Sequence, residues 1–173
     1  MEQLKNFNFS DLQEKLRLTD NDFDAWLENI GLLHGKRTCR KCGGRTSNKV
    51  DKGRRYRSWR CTTKKCRAEQ GYLCGTFFEG THLTTKQIFH LSYFWAYQFG
   101  DSYNVLESKT GISHPTITKW LNLFRGMCTT YFIKNPLQVE DVNEGNNCKT
   151  NNQTYSPEYL WRKQFGDISN SLA

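Results

Sequence analysis

Four of the seven cysteines lie in two close pairs. Two residues separate Cys39 from Cys42, four separate Cys61 from Cys66, and eighteen residues lie between the pairs. Thiolates bind Zn²⁺ at about 2.3 Å, and spacings of two to four residues within a pair are typical of tetrahedral structural zinc sites. We therefore predict that Cys39, Cys42, Cys61 and Cys66 hold one structural Zn²⁺ ion.

Disulfides and buried thiols are the alternatives for these cysteines. The chain opens without a basic and then apolar signal region, and no run of about eighteen apolar residues is present. Both observations favour an intracellular, reducing compartment, where paired cysteines are more often metal ligands than disulfides. Packing is the default role of Cys74 and Cys128, although Cys74 remains an alternative to Cys66 as the fourth ligand.

The positive charge of the chain is concentrated around the cysteine pairs. Residues 36–67 contain fourteen Lys or Arg and one acidic residue, a net charge of +13, whereas the whole chain has a net charge of +8. All other residues together therefore carry −5. A merely solubilising surface needs no such concentration, so this segment predicts a polyanion-binding surface.

Residues 54–60 predict a strand with a basic strip on each face. Because side chains alternate along a strand, each face would carry arginines and one aromatic ring, Trp59 on one face and Tyr56 on the other. Guanidinium groups on such a strand can contact phosphates. The predicted DNA contacts of the basic segment are Arg54, Arg55, Arg57, Arg60, Lys64 and Lys65.

Helical patterns lie on both sides of the basic segment. Residues 1–35 are acidic, and apolar residues recur at i, i+3, i+4 and i+7 from Phe23, with Gly31 as the predicted C-cap. Further along, Thr84 and Gln87 predict a capping box. The helix that follows would end at Gly100, and its apolar stripe is Ile88, Leu91, Trp95 and Phe99.

Two more helices follow. A short one is predicted from about Ser102 to Lys109, with Val105 and Leu106 inward and Gly111 as its terminator, and a long one begins at Ser113. Its inward residues are Ile117, Trp120, Leu121, Phe124, Met127, Cys128 and Tyr131. Helices joined by a turn that contains glycine predict a helix-turn-helix, which binds DNA through its second helix. The predicted contacts are His114, Thr116, Thr118, Lys119, Asn122 and Arg125.

The predicted fold is therefore α+β and consists of small modules. Residues 1–35 form an acidic helical segment, and residues 36–80 form a zinc ribbon. Residues 81–134 form a three-helix bundle with a helix-turn-helix. Residues 135–173 form a largely disordered linker and a short C-terminal segment, because residues 145–154 are rich in Asn, Thr and Gly.

The order of these motifs resembles the N-terminal half of Merlin-type DNA transposases. It is also similar to related bacterial insertion-sequence transposases that carry a zinc ribbon before a helix-turn-helix. The resemblance covers residues about 20 to 137. It rests on residues 27–33, on both cysteine pairs with Trp59, on residues 75–78 and on the helix from Ser113 to Arg125. It implies that both modules bind the terminal inverted repeats of a mobile element.

The chain departs from that family where a catalytic RNase H-like domain is expected. Residues 155–163 resemble the extreme C-terminal end of these transposases, so almost the whole catalytic core is missing between residues 137 and 155. Two-metal strand transfer requires several carboxylates at one point, and the last forty or so residues lack the alternating strands that would position them. We therefore expect a DNA-binding protein that is not an enzyme.

Three functions remain open at the level of sequence. The first is binding of double-stranded DNA by a transposase-derived protein, with the terminal inverted repeats as target. We expect such a protein to act in the nucleus if the organism is eukaryotic, and we expect no membrane partner. Its further partners would be a second copy of itself or a full-length transposase. The second is a DDE-type transposase or nuclease component. The third is an RNA-binding, single-strand-binding or protein-interaction module, in which Tyr56 and Trp59 stack on unpaired bases.

Overall fold

The computed structural model describes residues 4, 6–50, 56–97, 102–135, 158 and 161. These residues form five helices and a three-stranded antiparallel sheet, so the predicted α+β class is confirmed. The chain divides into two compact units, Met1–His90 and Leu91–Ala173. The finer division into four modules stays a prediction, and the predicted disordered tail falls almost entirely outside the described residues.

The first unit begins with two capped helices, α1 (Phe9–Arg17) and α2 (Asp20–Asn29). Asn8 and Asp11 form a capping box at α1, in which the Asn8 side chain accepts from the Asp11 amide and the Asp11 carboxylate accepts from the Asn8 amide at 2.9 Å. Thr19 caps α2. Gly31 follows the end of α2 with φ +81°, which agrees with the predicted role of this glycine in ending the helix.

The apolar face of α2 packs in an aromatic cluster. Phe23 and Trp26 lie 5.4 Å apart between ring centroids, and the ring of Trp26 also lies 5.1 Å from Phe89 and 5.7 Å from Phe7. Phe23 is fully buried. Rings at these separations contribute packing energy beyond their buried area, so this cluster forms the helical core of the first unit.

The sheet contains β1 (Thr46–Lys49), β2 (Ser58–Cys61) and β3 (Glu69–Gly71) in that order. Cys61 pairs with Thr46 across β1 and β2. The described residues of the central strand present no exposed basic strip, because Ser58 and Trp59 are buried and Arg60 is half-buried. Trp59 stacks near Tyr72 and donates its indole N–H to the Tyr72 carbonyl oxygen at 3.3 Å.

A polar network connects α2 with the sheet. The Tyr72 hydroxyl donates to Glu28 Oε1 at 2.5 Å, and Arg57 donates to the Tyr72 hydroxyl at 3.2 Å while its guanidinium lies 3.7 Å from Glu28 Oε1. One turn earlier on α2, the buried Asp24 accepts from the Thr85 hydroxyl at 2.8 Å. Burial raises the pKa of Asp24, so its carboxylate carries a cost that these partners only partly offset.

Helix α3 (Thr85–Ala96) begins in the first unit and ends in the second. The predicted capping box is confirmed, because the Thr84 amide donates to Gln87 Oε1 at 3.0 Å and the Gln87 amide donates to Thr84 Oγ1 at 2.9 Å. Ile88 and Leu91 are buried as predicted. The predicted end of the stripe and of the helix, at residues 99 and 100, lies outside the described residues.

The second unit contains α4 (Tyr103–Thr110) and α5 (His114–Lys134). Gly111 ends α4 with φ 66°, and Pro115 lies in the first turn of α5, both as predicted. The buried residues of α5 are Ile117, Trp120, Leu121, Phe124 and Cys128.

Three residues predicted to be inward are exposed: Val105, Met127 and Tyr131, at 36%, 42% and 37%. A helix of eight residues is about 12 Å long and one of twenty-one residues is about 31 Å long, so α4 can cover only part of α5. The buried stripe therefore narrows toward the C-terminal end of α5. Among the described residues, no helix combines the length and the apolar character that crossing a membrane requires.

Candidate metal centre

Turns at one end of the sheet carry the four paired cysteines. Cys39 and Cys42 flank a turn that precedes β1, and this turn is closed by a bridge between Thr38 and Arg45. Cys61 is the last residue of β2, and Cys66 lies in the turn before β3. Because β1 and β2 pair in register, the two turns come together at the same end of the sheet.

The four sulfur atoms form one compact group. All lie within 4.8 Å of one another, with 3.7 Å between Cys39 and Cys66 and 3.5 Å between Cys42 and Cys61. These separations exceed the length of about 2.05 Å of a disulfide bond, and all four residues are free cysteines. Four sulfurs placed about 2.3 Å from a shared tetrahedral centre would lie about 3.8 Å apart, so the group fits a metal ion.

The two turns have the same backbone feature. Gly43, directly after Cys42, has φ 68°, and Arg67, directly after Cys66, has φ 44°. In the first turn the Gly43 amide donates to the Cys39 carbonyl oxygen at 2.8 Å; in the second the Arg67 amide donates to the Thr63 carbonyl oxygen at 3.1 Å. In each pair the left-handed residue directly follows the second cysteine and ends the turn that carries it.

Gly44 lies directly against the sulfur cluster. A Cβ atom at this position would lie 2.5 Å from Thr63 Oγ1, 3.3 Å from Cys42 Sγ and 3.8 Å from Cys61 Sγ. The Gly44 carbonyl oxygen accepts from the Cys39 amide at 2.8 Å. Only glycine fits here without displacement of the Thr63 side chain, because that side chain approaches the backbone so closely.

Hydrogen bonds favour the thiolate form of two of the cysteines. The amides of Cys42 and Lys41 lower the pKa of Cys39, and the hydroxyl and amide of Thr63 lower the pKa of Cys61 to about 6. Cys66 differs. The Ala68 amide favours its thiolate, but burial and the neighbouring cysteines outweigh this bond and raise its pKa to about 11. A cation at the centre would favour the thiolate of Cys66 over its thiol.

The cluster accounts for four of the six cysteines in the described residues. Cys74 and the buried Cys128 are not members of it, so the structure favours Cys66 over Cys74 as the fourth ligand. Four thiolates fill the coordination positions of a tetrahedral ion, which is the pattern of a site that stabilises a fold. Cys148 lies outside the described residues.

The predicted DNA contacts of the basic segment have different surroundings. Lys64 and Lys65 are exposed in the turn between Cys61 and Cys66, and Arg60 is half-buried on β2. Arg57 is engaged within the unit, with its guanidinium 4.8 Å from the ring centre of Tyr72. Arg54 and Arg55 lie outside the described residues.

The predicted DNA contacts of the second unit lie along α5. His114, Lys119, Asn122 and Arg125 are exposed, whereas Thr116 and Thr118 are half-buried. Several are engaged locally: the His114 ring stacks on Tyr103 at 4.1 Å, and the Thr118 hydroxyl donates to the His114 carbonyl oxygen at 3.1 Å. Arg125 donates to Glu158 at 2.8 Å.

Two residues that contact the sulfur cluster are not predicted by the sequence patterns. Thr63 and Gly44 are residue types that do not by themselves indicate a metal site. Their positions two residues after Cys61 and Cys42 are the signal that could have identified them.

Comparison with protein-family models, with curated proteins and with solved structures finds no match to this chain.

Proposed function

We propose that this chain binds double-stranded DNA without catalysing its transposition. In this proposal the four cysteines hold Zn²⁺ and form a zinc ribbon, and α4 with α5 forms a helix-turn-helix. The resemblance to Merlin-type transposases makes the terminal inverted repeats of a mobile element the expected target, and the nucleus the expected compartment if the organism is eukaryotic. The ion contributes fold stability, and the protein residues contact the DNA.

The observation that carries this proposal is the position of the cysteine cluster within the basic segment. Residues 36–67 contain all four cysteines and have a net charge of +13. Lys41, Lys64 and Lys65 lie within the cysteine turns themselves and are exposed. A metal ion that fixes these turns would also fix a surface of like charges, and a phosphate backbone is the ligand that such a surface attracts.

The geometry of α4 and α5 adds support from the second unit. Three residues connect these helices, and the first of them, Gly111, has a left-handed backbone while Ile112 is buried. Exposed polar side chains at the N-terminal half of α5 can contact base edges in a major groove.

The single-strand alternative loses its main support. It requires aromatic rings on which unpaired bases can stack. Trp59 is only 3% exposed and bonds to Tyr72, and Tyr56 is half-buried with its hydroxyl donating to the Leu83 carbonyl oxygen at 3.1 Å. Both rings are therefore part of the packing of the first unit.

The metal part of the proposal is tested by removal of single cysteines. We expect Cys66→Ser to lose stoichiometric Zn²⁺ and the fold of the first unit, because three thiolates no longer complete the site. Cys74→Ser is the matched control, since Cys74 lies in the same unit outside the cluster. Metal analysis and circular dichroism of both variants give the result. Retention of zinc by Cys66→Ser, or its loss in Cys74→Ser, would contradict the assignment.

The DNA part is tested by selection of bound sequences from a random duplex pool, followed by competition with single strands. We expect an enriched duplex motif. Alanine at Lys119 and Asn122 should reduce the preference for that motif, whereas alanine at Lys64 and Lys65 should weaken all duplexes uniformly and lower the salt dependence. Absence of duplex binding would sink the proposal, and Mg²⁺-dependent nicking of an enriched duplex would support the transposase alternative instead.

A further inference from the structure

Two arginines converge on one glycine in the first unit. Arg37 precedes the first cysteine pair, Arg40 lies inside it, and Gly75 follows β3 by four residues. A Cβ atom on Gly75 would lie 2.9 Å from Nη2 of Arg40 and 3.0 Å from Nη2 of Arg37. Both guanidinium groups therefore reach the same point above a backbone that has no side chain.

The local partners do not balance these two charges. Arg37 donates through Nη1 to the Cys74 carbonyl oxygen, which is neutral. The carboxylate of Glu79 accepts from the Gly75 amide at 2.6 Å, and this bond, a hydrogen bond with Cys74 and the charges of Arg40 and Arg37 lower the pKa of Glu79. Two cations and one carboxylate leave an excess of one positive charge at the cluster.

Arg40 is the more available of the two guanidiniums. Its side chain is exposed, and it has no hydrogen-bond partner within the described part of the chain. Each guanidinium presents N–H donors in a planar fork that matches two oxygen atoms of a phosphate. An oxyanion between the two forks would make charge-assisted hydrogen bonds and would offset the repulsion between the like charges.

We propose that Arg37 and Arg40, held over Gly75, form a binding site for one phosphate group of the DNA backbone. The inference rests on the proposed DNA binding and adds a contact that the alternating strand pattern does not predict. Gly75 is the residue that makes the site. Its missing side chain leaves the space in which the two guanidiniums meet, and its φ of +73° suits glycine.

The test compares two glycines with the same backbone and different surroundings. Gly80 has φ +74°, and a Cβ atom there would meet nothing within 4 Å. Gly75→Ala and Gly80→Ala therefore cost similar backbone strain and keep the net charge, but only the first displaces the arginine tips. We expect Gly75→Ala to weaken duplex binding and to lower the slope of log affinity against log salt, and Gly80→Ala to match the wild type.

Arginine substitutions give the size of the effect. Each of Arg37→Ala and Arg40→Ala is expected to lower the salt slope by about 0.45, which is half of the roughly 0.9 that neutralisation of one phosphate contributes, because the two arginines share that phosphate. Combined with Gly75→Ala, neither substitution should add its full effect. Zinc content and the melting temperature of each variant show that the fold is intact.

The outcomes separate this inference from the function on which it rests. If the wild type binds no duplex at low salt, the proposed function fails. If it binds, and Gly75→Ala and Arg40→Ala both behave like Gly80→Ala, the phosphate site is overturned while the function stands. Titration with inorganic phosphate alone distinguishes the source of the anion: binding that Gly75→Ala abolishes without any change in duplex affinity would overturn the assignment to the DNA backbone.

Discussion

The residue after the second cysteine of each pair adopts the same unusual backbone conformation. Gly43 and Arg67 both have positive φ, and the two turns they end bring four sulfurs within 4.8 Å. A residue with a side chain loses about 1–2 kcal/mol in this conformation relative to its ordinary one, and glycine does not. The first turn avoids that cost, and the second bears it.

At this scale we expect Gly43→Ala to lower the free energy of unfolding of the metal-bound protein by about 1–2 kcal/mol. A Cβ atom on Gly43 meets nothing within 4 Å, so the effect comes from the backbone alone. Gly71→Ala is the matched control, because a Cβ atom on Gly71 also has open space and the φ of Gly71 is not in the left-handed region. Chemical denaturation of both variants with zinc bound measures the difference. An equal loss in both would show that conformation at Gly43 is not the cause.

At the scale of the element, the helical pattern of α5 is predicted correctly, but the edge of its buried face is not. Leu121 and Leu123 are two residues apart on this helix, but Leu121 is 8% exposed and Leu123 is 45% exposed. Leu121 and its neighbours Trp120 and Phe124 are buried and belong to the core of the second unit. The face that contains Leu123 also contains the exposed Met127 and Tyr131.

This difference in burial predicts that substitution of leucine by alanine lowers the free energy of unfolding by different amounts at the two positions. Leu121→Ala is expected to lower the free energy of unfolding by about 2–5 kcal/mol, the cost of a cavity in a packed core. Leu123→Ala removes the same atoms from a half-exposed position and is expected to cost about 0.5 kcal/mol or less. Thermal denaturation of the two variants compares them directly. Similar losses would mean that the second face of α5 is also a packed interface.

Sequence patterns predicted the elements that depend on local chemistry. The capping box of Thr84 and Gln87, the proline in the first turn of α5 and the left-handed Gly111 are all decided by residues within a few positions of one another. The cysteine spacing likewise predicted the four-sulfur cluster.

The features that the sequence patterns do not predict depend on residues far apart in the chain. Met127 and Tyr131 fit the helical period, but the length of the neighbouring helix decides whether they are covered. Arg57 fits a basic strand, yet Glu28 and Tyr72, which are distant in sequence, engage its guanidinium. Both partners lie far from Arg57 in sequence, so no pattern in the residues around Arg57 can predict this network.

At the scale of the whole molecule, charge is divided unequally along the chain. The basic segment has +13, and all residues outside it sum to −5. In the second unit, one of those acidic residues forms an ion pair with a predicted DNA-binding residue: Glu158 Oε2 is 2.8 Å from Arg125 Nε. The ring of Trp161, three residues later, lies 5.3 Å from the ring of Trp95, so two side chains of the C-terminal segment contact α3 and α5.

If α5 binds DNA through Arg125, Glu158 competes with phosphate for the same guanidinium. We therefore expect Glu158→Gln to raise duplex affinity by about two- to fivefold at low salt, the range that corresponds to an exposed ion pair of up to about 1 kcal/mol. The gain should shrink as salt screens the pair. Fluorescence anisotropy with a selected duplex, at several salt concentrations, measures it.

The control for that gain must change the net charge equally without touching Arg125. Glu107→Gln meets this condition, because Glu107 is an exposed carboxylate on α4 in the same unit. An equal rise in both variants would reduce the effect to net charge. Arg125→Ala supplies the second arm: in that background Glu158→Gln should no longer raise affinity, since the guanidinium that carboxylate and phosphate share is gone. A gain that persists without Arg125 would show that Glu158 acts on DNA binding by another route.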